Sequence, residues 1–389
     1  MVRVVGPGRL SAPSPQSLSL TAWAQNATIR ANGTLVNAPS VIYPFETIPA
    51  TGAAVEVAPG VLWLRMPLPI ALDHINVWAL KDGESWTIVD TGMHTAQTIE
   101  VWQQIFAGPL GNRPVGRVIC THMHPDHVGM AGWLTRRFEC RLWMSRLEYV
   151  ICRMLVADAH RAAPADGVRF YRAAGWDEEA IEAYRASFGG FGSRIHELPD
   201  SFRRMSDGDE IEIGGRRWLA VVGRGHSPEH VCLYCPELDV MIAGDQVLPK
   251  ITSNVSVFPT EPDADPLSDW LDSIAAIAQR VPDTVLVLPA HKEPFRGLHA
   301  RLGELNAWHE GALKRVLAAL REPKRAIDVF PAMFRRNVSH ALQLATGECI
   351  AHLNCLRGRG LIECEQRDGI AWYRAIRSAA SLDAPQCAG

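Results

Sequence analysis

Three histidines and one aspartate stand within six residues in Thr121-His122-Met123-His124-Pro125-Asp126-His127. In extended backbone, residues two apart project to the same side, so His122 and His124 can reach one cation. The turn at Pro125 then carries Asp126 and His127 to a second position nearby. Packing is a poor account of such a cluster, because burying this many polar groups is costly unless a metal engages their lone pairs. Three later residues are placed to complete the set. His226 in Gly225-His226-Ser227-Pro228, Asp245 in Ala243-Gly244-Asp245 and His291 in Pro289-Ala290-His291 each follow an apolar, strand-like run. The C-terminal ends of strands are where α/β proteins present functional side chains.

The flanking text alternates strand and helix signals. Residues 61–66, 75–80 and 86–90 are predicted strands, with Lys81-Asp82-Gly83-Glu84 as a turn. Residues 95–106 are a predicted helix and 115–121 a strand. Over 128–138, Met130, Trp133, Leu134 and Phe138 recur at helical spacing. Residues 145–190 are helix-rich. Strands follow at 210–213, 217–222, 231–234, 240–243 and 284–289, with Gly214-Gly215 as a hairpin turn and a helix over 267–280. Beyond about residue 300, helices over 302–320, 326–334 and 342–357 precede a hairpin turning at Arg367-Asp368-Gly369. Three helices and a hairpin is the order of a winged helix. The expected domains are a polar leader over 1–40, a catalytic domain over 41–300 with a helical lid insert at about 145–200, and a C-terminal winged-helix-like domain over 301–389.

Composition narrows the function class. The chain has 389 residues, 47 % hydrophobic and 21 % charged, as expected of a globular protein larger than one ordinary domain. A formal net charge of −3 gives no bulk attraction to nucleic acid. No apolar run reaches the 18 or so residues of a membrane span. Nine cysteines without framework spacing fit free thiols in a reducing compartment. Cys232 and Cys235 have redox spacing, but a strand turns them to opposite faces. The first 40 residues are polar and broken by proline, unlike a secretory apolar core, so a cytoplasmic location is expected.

The motifs His-x-His-x-Asp-His, Gly-His, Gly-Asp and a strand-end His, in this order, resemble the metallo-β-lactamase superfamily over about residues 55–300. The C-terminal segment resembles the appendage of one hydrolase branch of it. The resemblance implies an α/β fold, a four-layer αββα sandwich with a metal site along one rim. Carried over by position, it assigns His122, His124 and His226 to one divalent metal and Asp126, His127 and His291 to a second. Asp245 would bridge the two. Zinc is the expected metal, with iron and manganese as alternatives. Asp90, in Ile88-Val89-Asp90-Thr91-Gly92, matches an aspartate that orients the ligands. His230, four residues beyond His226, is a further orienting or structural candidate.

Two cations about 3.5–4 Å apart can share a water, lower its pKa and supply hydroxide at neutral pH, while holding the charge that develops on a carbonyl oxygen. No serine nucleophile is required, and no Gly-x-Ser-x-Gly elbow is present. The catalytic assignments are Asp126 and Asp245. In the family, antibiotic-hydrolysing members generally lack the bridging aspartate, whereas thioesterases, lactonases and nucleases carry it. Residues 136–172 hold eight arginines against four acids. With Tyr149, Phe170 and Tyr171, such a basic lid suits an anionic acyl-coenzyme A thioester; the alternative is a solvated helical face. Tyr149, Arg153 and Asn254 are the substrate-binding candidates.

Residues 301–389 hold 13 Lys and Arg against 9 Asp and Glu, without an arginine-rich recognition face. The appendage is therefore expected to be structural or to support a homodimer. Its removal should alter assembly or stability before chemistry. The favoured reading is a dinuclear hydrolase of an ester, thioester (acyl-coenzyme A or glutathione type) or lactone. An endoribonuclease or phosphodiesterase on the same metals, and a mononuclear iron persulfide dioxygenase, are the alternatives.

Overall fold

The structure is a computed structural model describing residues 40–335, 338 and 341–376, so the expected leader lies outside it but for Ser40. Two sheets form the centre. The first runs in the order β1 (Val55–Ala58), β2 (Val61–Pro67), β3 (His74–Asp82), β4 (Ser85–Val89), β5 (Val115–Ile119), β6 (Arg141–Ser145), β7 (Arg203–Met205). It is antiparallel up to β4 and parallel from β4 onward. The second sheet comprises β8 (Glu210–Ile213), β9 (Arg216–Gly223), β10 (His230–Cys235), β11 (Val240–Gly244) and β12 (Leu286–Pro289).

Strand alternation explains the layering, because adjacent residues of one strand feed different cores. On β2, Trp63 enters the core between the sheets while Leu64 faces the outer helices. On β10, Cys232 packs outward and Cys235 inward, so the redox-spaced pair is split across the sheet as its strand context requires. Every β10 side chain is buried, which suits a strand covered on both faces. Asn76 on β3 accepts from Trp63 Nε1 at 2.8 Å. Its own amide donates to the Pro289 and Lys292 carbonyls at 2.8 and 2.7 Å, tying the first sheet to the end of β12.

Helices cover both outer faces. Over the first sheet lie α1 (Ala96–Ala107), the single turn α2 (Pro125–Val128), α3 (Ala131–Phe138) and α4 (Arg146–Ala157). Thr95 caps α1 by accepting from Thr98 N–H, and Thr98, Val101, Trp102, Ile105 and Phe106 form its buried stripe. The helical signal over 128–138 is split, because Met130 separates the turn after Pro125 from α3. β6 and β7 were not anticipated, since both are short and β7 shows exposed arginines.

Residues 145–200, expected as a helical lid insert, are helical and pack onto both outer cores. Beyond α4 they continue as α5 (Ala165–Ala173) and α6 (Glu178–Ser187). Tyr149 of α4 joins the core beneath the first sheet, whereas Val168, Tyr171, Ile181 and Tyr184 join the core outside the second. That second core also receives α7 (Pro266–Arg280), α8 (Leu298–Ala319), α9 (Phe330–Met333), α10 (Leu342–Gly358) and the hairpin β13 (Ile362–Arg367) and β14 (Ile370–Ala375). The middle helix expected in this segment is reduced to a 3-10 turn over Ala326–Val329 and the single turn α9. Trp176 Nε1 donates to Thr346 Oγ1 at 2.9 Å, joining the insert to α10. The boundary expected at residue 300 falls inside α8, and one apolar cluster runs across it. No helix of the described residues is long and apolar enough to cross a membrane.

Candidate metal centre

The strand ends bring all seven residues of the sequence motifs to one rim. His122 and His124 follow β5, His226 follows β9, Asp245 follows β11 and His291 follows β12. His122 Nε2 lies 2.9 Å from His124 Nδ1 and 3.2 Å from His226 Nε2. Asp245 Oδ2 is 3.4 Å from His226 Nε2. On the other side, Asp126 Oδ2 is 3.8 Å from His127 Nε2 and 3.4 Å from His291 Nε2. Asp245 Oδ1 faces the same two rings at 3.6 and 3.5 Å. The Asp245 carboxylate therefore presents one oxygen to each group.

Hydrogen bonds set which ring nitrogens point inward. His127 Nδ1 donates to Asp90 Oδ2 at 2.8 Å, His226 Nδ1 to the Asn254 carbonyl at 2.7 Å, and His291 Nδ1 to the His74 carbonyl at 3.0 Å. Each leaves a bare Nε2 lone pair toward the cluster. Asp90 also accepts from Thr121 N–H and Oγ1–H, and its own backbone is held at a left-handed φ of 61° at the end of β4. His230 is buried and stacked on the His122 ring at 4.8 Å, and its Nε2 accepts from Asp245 N–H at 3.1 Å. Gly244 leaves room for that bond, because a Cβ there would stand 2.4 Å from His230 Nε2.

The electrostatics differ between the two groups. Burial, reinforced by the neighbouring imidazoles, holds His122 well below its usual pKa, and burial with His226 beside it lowers His124 to about 3. Burial also acts downward at His127 and His291, but Asp90, Asp245 and Asp126 outweigh it at the first and Asp245 and Asp126 at the second, raising both. Burial pushes Asp126 upward, yet His127 and His291 bring it down to about 2. His122 and His124 thus present neutral lone pairs, while the other group gathers anions that demand positive charge.

A tetrahedral cation with bonds of about 2.0–2.1 Å to nitrogen holds its ligand atoms about 3.3 Å apart. The ring-to-ring and ring-to-carboxylate distances fall around that value. His127 Nε2 and Asp245 Oδ1 are buried without a hydrogen-bond partner, and a cation between the two groups would engage both. The residues therefore fit divalent metal binding.

The substrate-binding candidates are placed differently from expectation. Tyr149 is buried, stacks on Phe202 at 4.0 Å and donates to the Pro199 carbonyl at 2.8 Å. Arg153 reaches Tyr149 Oη at 3.0 Å and Asp200 at 3.1 Å. Both fasten α4 to the segment that leads into β7. Asn254 uses its carbonyl to orient His226, and its side chain accepts from Ser256 Oγ. Of the eight arginines, Arg136, Arg153, Arg161, Arg169 and Arg172 pair with Glu197, Asp200, Asp158, Asp166 and Glu178, which answers much of the local positive charge. Glu148 carries contacts to the ligand loops that no motif signalled; only a fold that joins distant loops reveals them.

Fold and site together define a two-sheet α/β protein with a rim of residues that fit divalent metal. Residues 70–291 match the Metallo-beta-lactamase superfamily and residues 313–376 the Metallo-beta-lactamase-like, C-terminal domain; the chain belongs to the metallo-β-lactamase superfamily. A solved beta-lactamase domain protein from Burkholderia ambifaria is 40 % identical with a TM-score of 0.79, covering 86 % of this chain and 98 % of its own. The atrochrysone carboxyl ACP thioesterase dmxR1 of Cryptosporiopsis sp. is 24 % identical over 72 % of this chain and 68 % of its own. The acyl-coenzyme A thioesterase MBLAC2 of Bos taurus is 23 % identical over 48 % of this chain and 63 % of its own. The chain spans about two thirds of the length of the curated relatives it matches, 64 % and 66 % for two others.

Proposed function

We propose that the chain is a dinuclear hydrolase of acyl thioesters, with zinc as the resident metal. The observation that carries this reading is Asp245, whose two oxygens face the two ligand groups at 3.4–3.6 Å. When bound, two divalent cations supply a hydroxide nucleophile at neutral pH and polarise the acyl carbonyl. His122, His124 and His226 would hold one cation, and Asp126, His127 and His291 the other. Asp90 keeps the His127 proton on Nδ1, so Nε2 stays available. A thiolate leaves without protonation, so no general acid is required of the chain. The thioesterase names of two relatives support the choice of substrate over an ester or lactone.

Elemental analysis of the purified chain, followed by turnover of acyl-coenzyme A thioesters, lactones and RNA, tests the proposal. About two equivalents of zinc and thioester cleavage abolished by chelation are expected. A single iron with oxygen consumption, or RNA as the better substrate, overturns it.

A further inference from the structure

Glu148 in the first turn of α4 is fully buried, yet it forms no ion pair with a lysine or arginine among the described residues. Its Oε2 accepts from Met123 N–H at 2.9 Å and its Oε1 accepts from Glu229 N–H at 2.7 Å. Met123 separates His122 from His124, and Glu229 lies between His226 and His230. The two segments come from different sheets. The first follows β5, and the second joins β9 to β10. One carboxylate thus spans the two loops whose imidazoles must converge. Its bidentate grip sets their separation, since both oxygens are engaged and neither amide can drift without losing its acceptor. A buried carboxylate is costly without a compensating positive charge, and a cation held by the three histidines would supply one.

We propose that Glu148 is a positioning residue that sets the distance between the His122–His124 pair and His226, and with it the metal affinity of the three-histidine group. This rests on the reading of those histidines as metal ligands. A purely structural hydrogen bond would lower the stability of the metal-free chain and leave affinity per folded molecule unchanged.

The decisive substitution is Glu148→Gln, which keeps the shape but turns an amide NH2 toward one of the two N–H donors. Zinc would be withdrawn stepwise from the full chain with a chromophoric chelator, and metal-free and zinc-loaded melting compared. The expected result is one equivalent bound roughly 10–100-fold more weakly, the range for groups that hold ligands in place. The other equivalent keeps its parental affinity and the metal-free chain melts as the parent does. Cobalt(II) substitution should alter the absorption band of that same equivalent. Glu148→Asp, one methylene too short to reach both amides, should fall between the two and decides the matter if the glutamine variant does not fold. Parental affinity at both positions overturns the positioning role, as does an equal loss at both accompanied by a lower metal-free melting temperature. A parent chain that binds no cation overturns the metal reading and this proposal with it.

Discussion

At the residue scale, the centre depends on tautomers as much as on ligand identity. His127, His226 and His291 each spend Nδ1 on an oxygen outside the cluster, so their Nε2 atoms need no proton to satisfy the fold. Removing a ligand ring should therefore cost chemistry far more than folding. His124→Ala is expected to lower kcat/KM by well over about 100-fold, the upper end for changes one layer further out, with a near-parental circular dichroism spectrum. Retained turnover would defeat the metal mechanism. Asp245→Ala removes the carboxylate shared by both groups. It should lose the second metal equivalent in particular, which elemental analysis reads directly; unchanged stoichiometry would rule out a bridging role.

At the element scale, loops are aimed by positions where a side chain cannot fit. Gly225, before His226, has a φ of 96°, and a Cβ there would lie 2.3 Å from the Pro266 carbonyl at the start of α7. Gly225→Ala should destabilise the chain by about 2–4 kcal/mol, from left-handed backbone strain plus the overlap, and lower its metal content. Thermal melting and elemental analysis check both parts.

The helices α8 and α10 carry a different device. His309 Nδ1 and His352 Nε2 lie 3.3 Å apart in the core, and burial lowers His309 to about 3 and His352 to about 4. Both stay neutral when folded, while the unfolded chain takes up protons near pH 6.5. Stability from this pair is therefore present at pH 7 and is lost as pH falls from about 6.5 toward 4 for His352 and toward 3 for His309. Each residue should cost about 2 kcal/mol between pH 7 and pH 5. Urea melts of the parent and of the double variant His309→Phe, His352→Leu isolate this contribution, because the metal-site histidines cancel in the difference. Equal losses in both chains would contradict it.

At the scale of the whole molecule, the C-terminal segment completes the outer core of the second sheet. α8 alone buries Leu298, Leu302, Leu305, Leu313 and Val316. At about 1.5–3 kcal/mol each, their burial is comparable to the entire stability of a typical domain, about 5–15 kcal/mol. A chain ending at residue 297 should give no cooperative melt, since Leu267, Trp270, Ile274 and Ile277 of α7 would face water. A truncated chain with a parental melting temperature would show that the two parts fold separately.

Residue type and spacing were enough to single out the seven residues that the fold gathers at one rim. The histidine and aspartate motifs and the strand-end positions of His226, Asp245 and His291 are local features, because a strand's period of two and a turn at proline act over a few residues. The same locality made the split of Cys232 and Cys235 legible. The partners that aim those ligands were decided by tertiary structure. Glu148, the Asn254 carbonyl and the His74 carbonyl reach their targets across 25 to 217 residues of chain. Tyr149 and Arg153 read as pocket residues in sequence because a basic, aromatic pair suits an anionic ligand, and their bonds to Pro199 and Asp200 appear only in the fold. A hydrogen bond between distant loops leaves no periodicity, and it exists only once the two sheets have packed their apolar faces together.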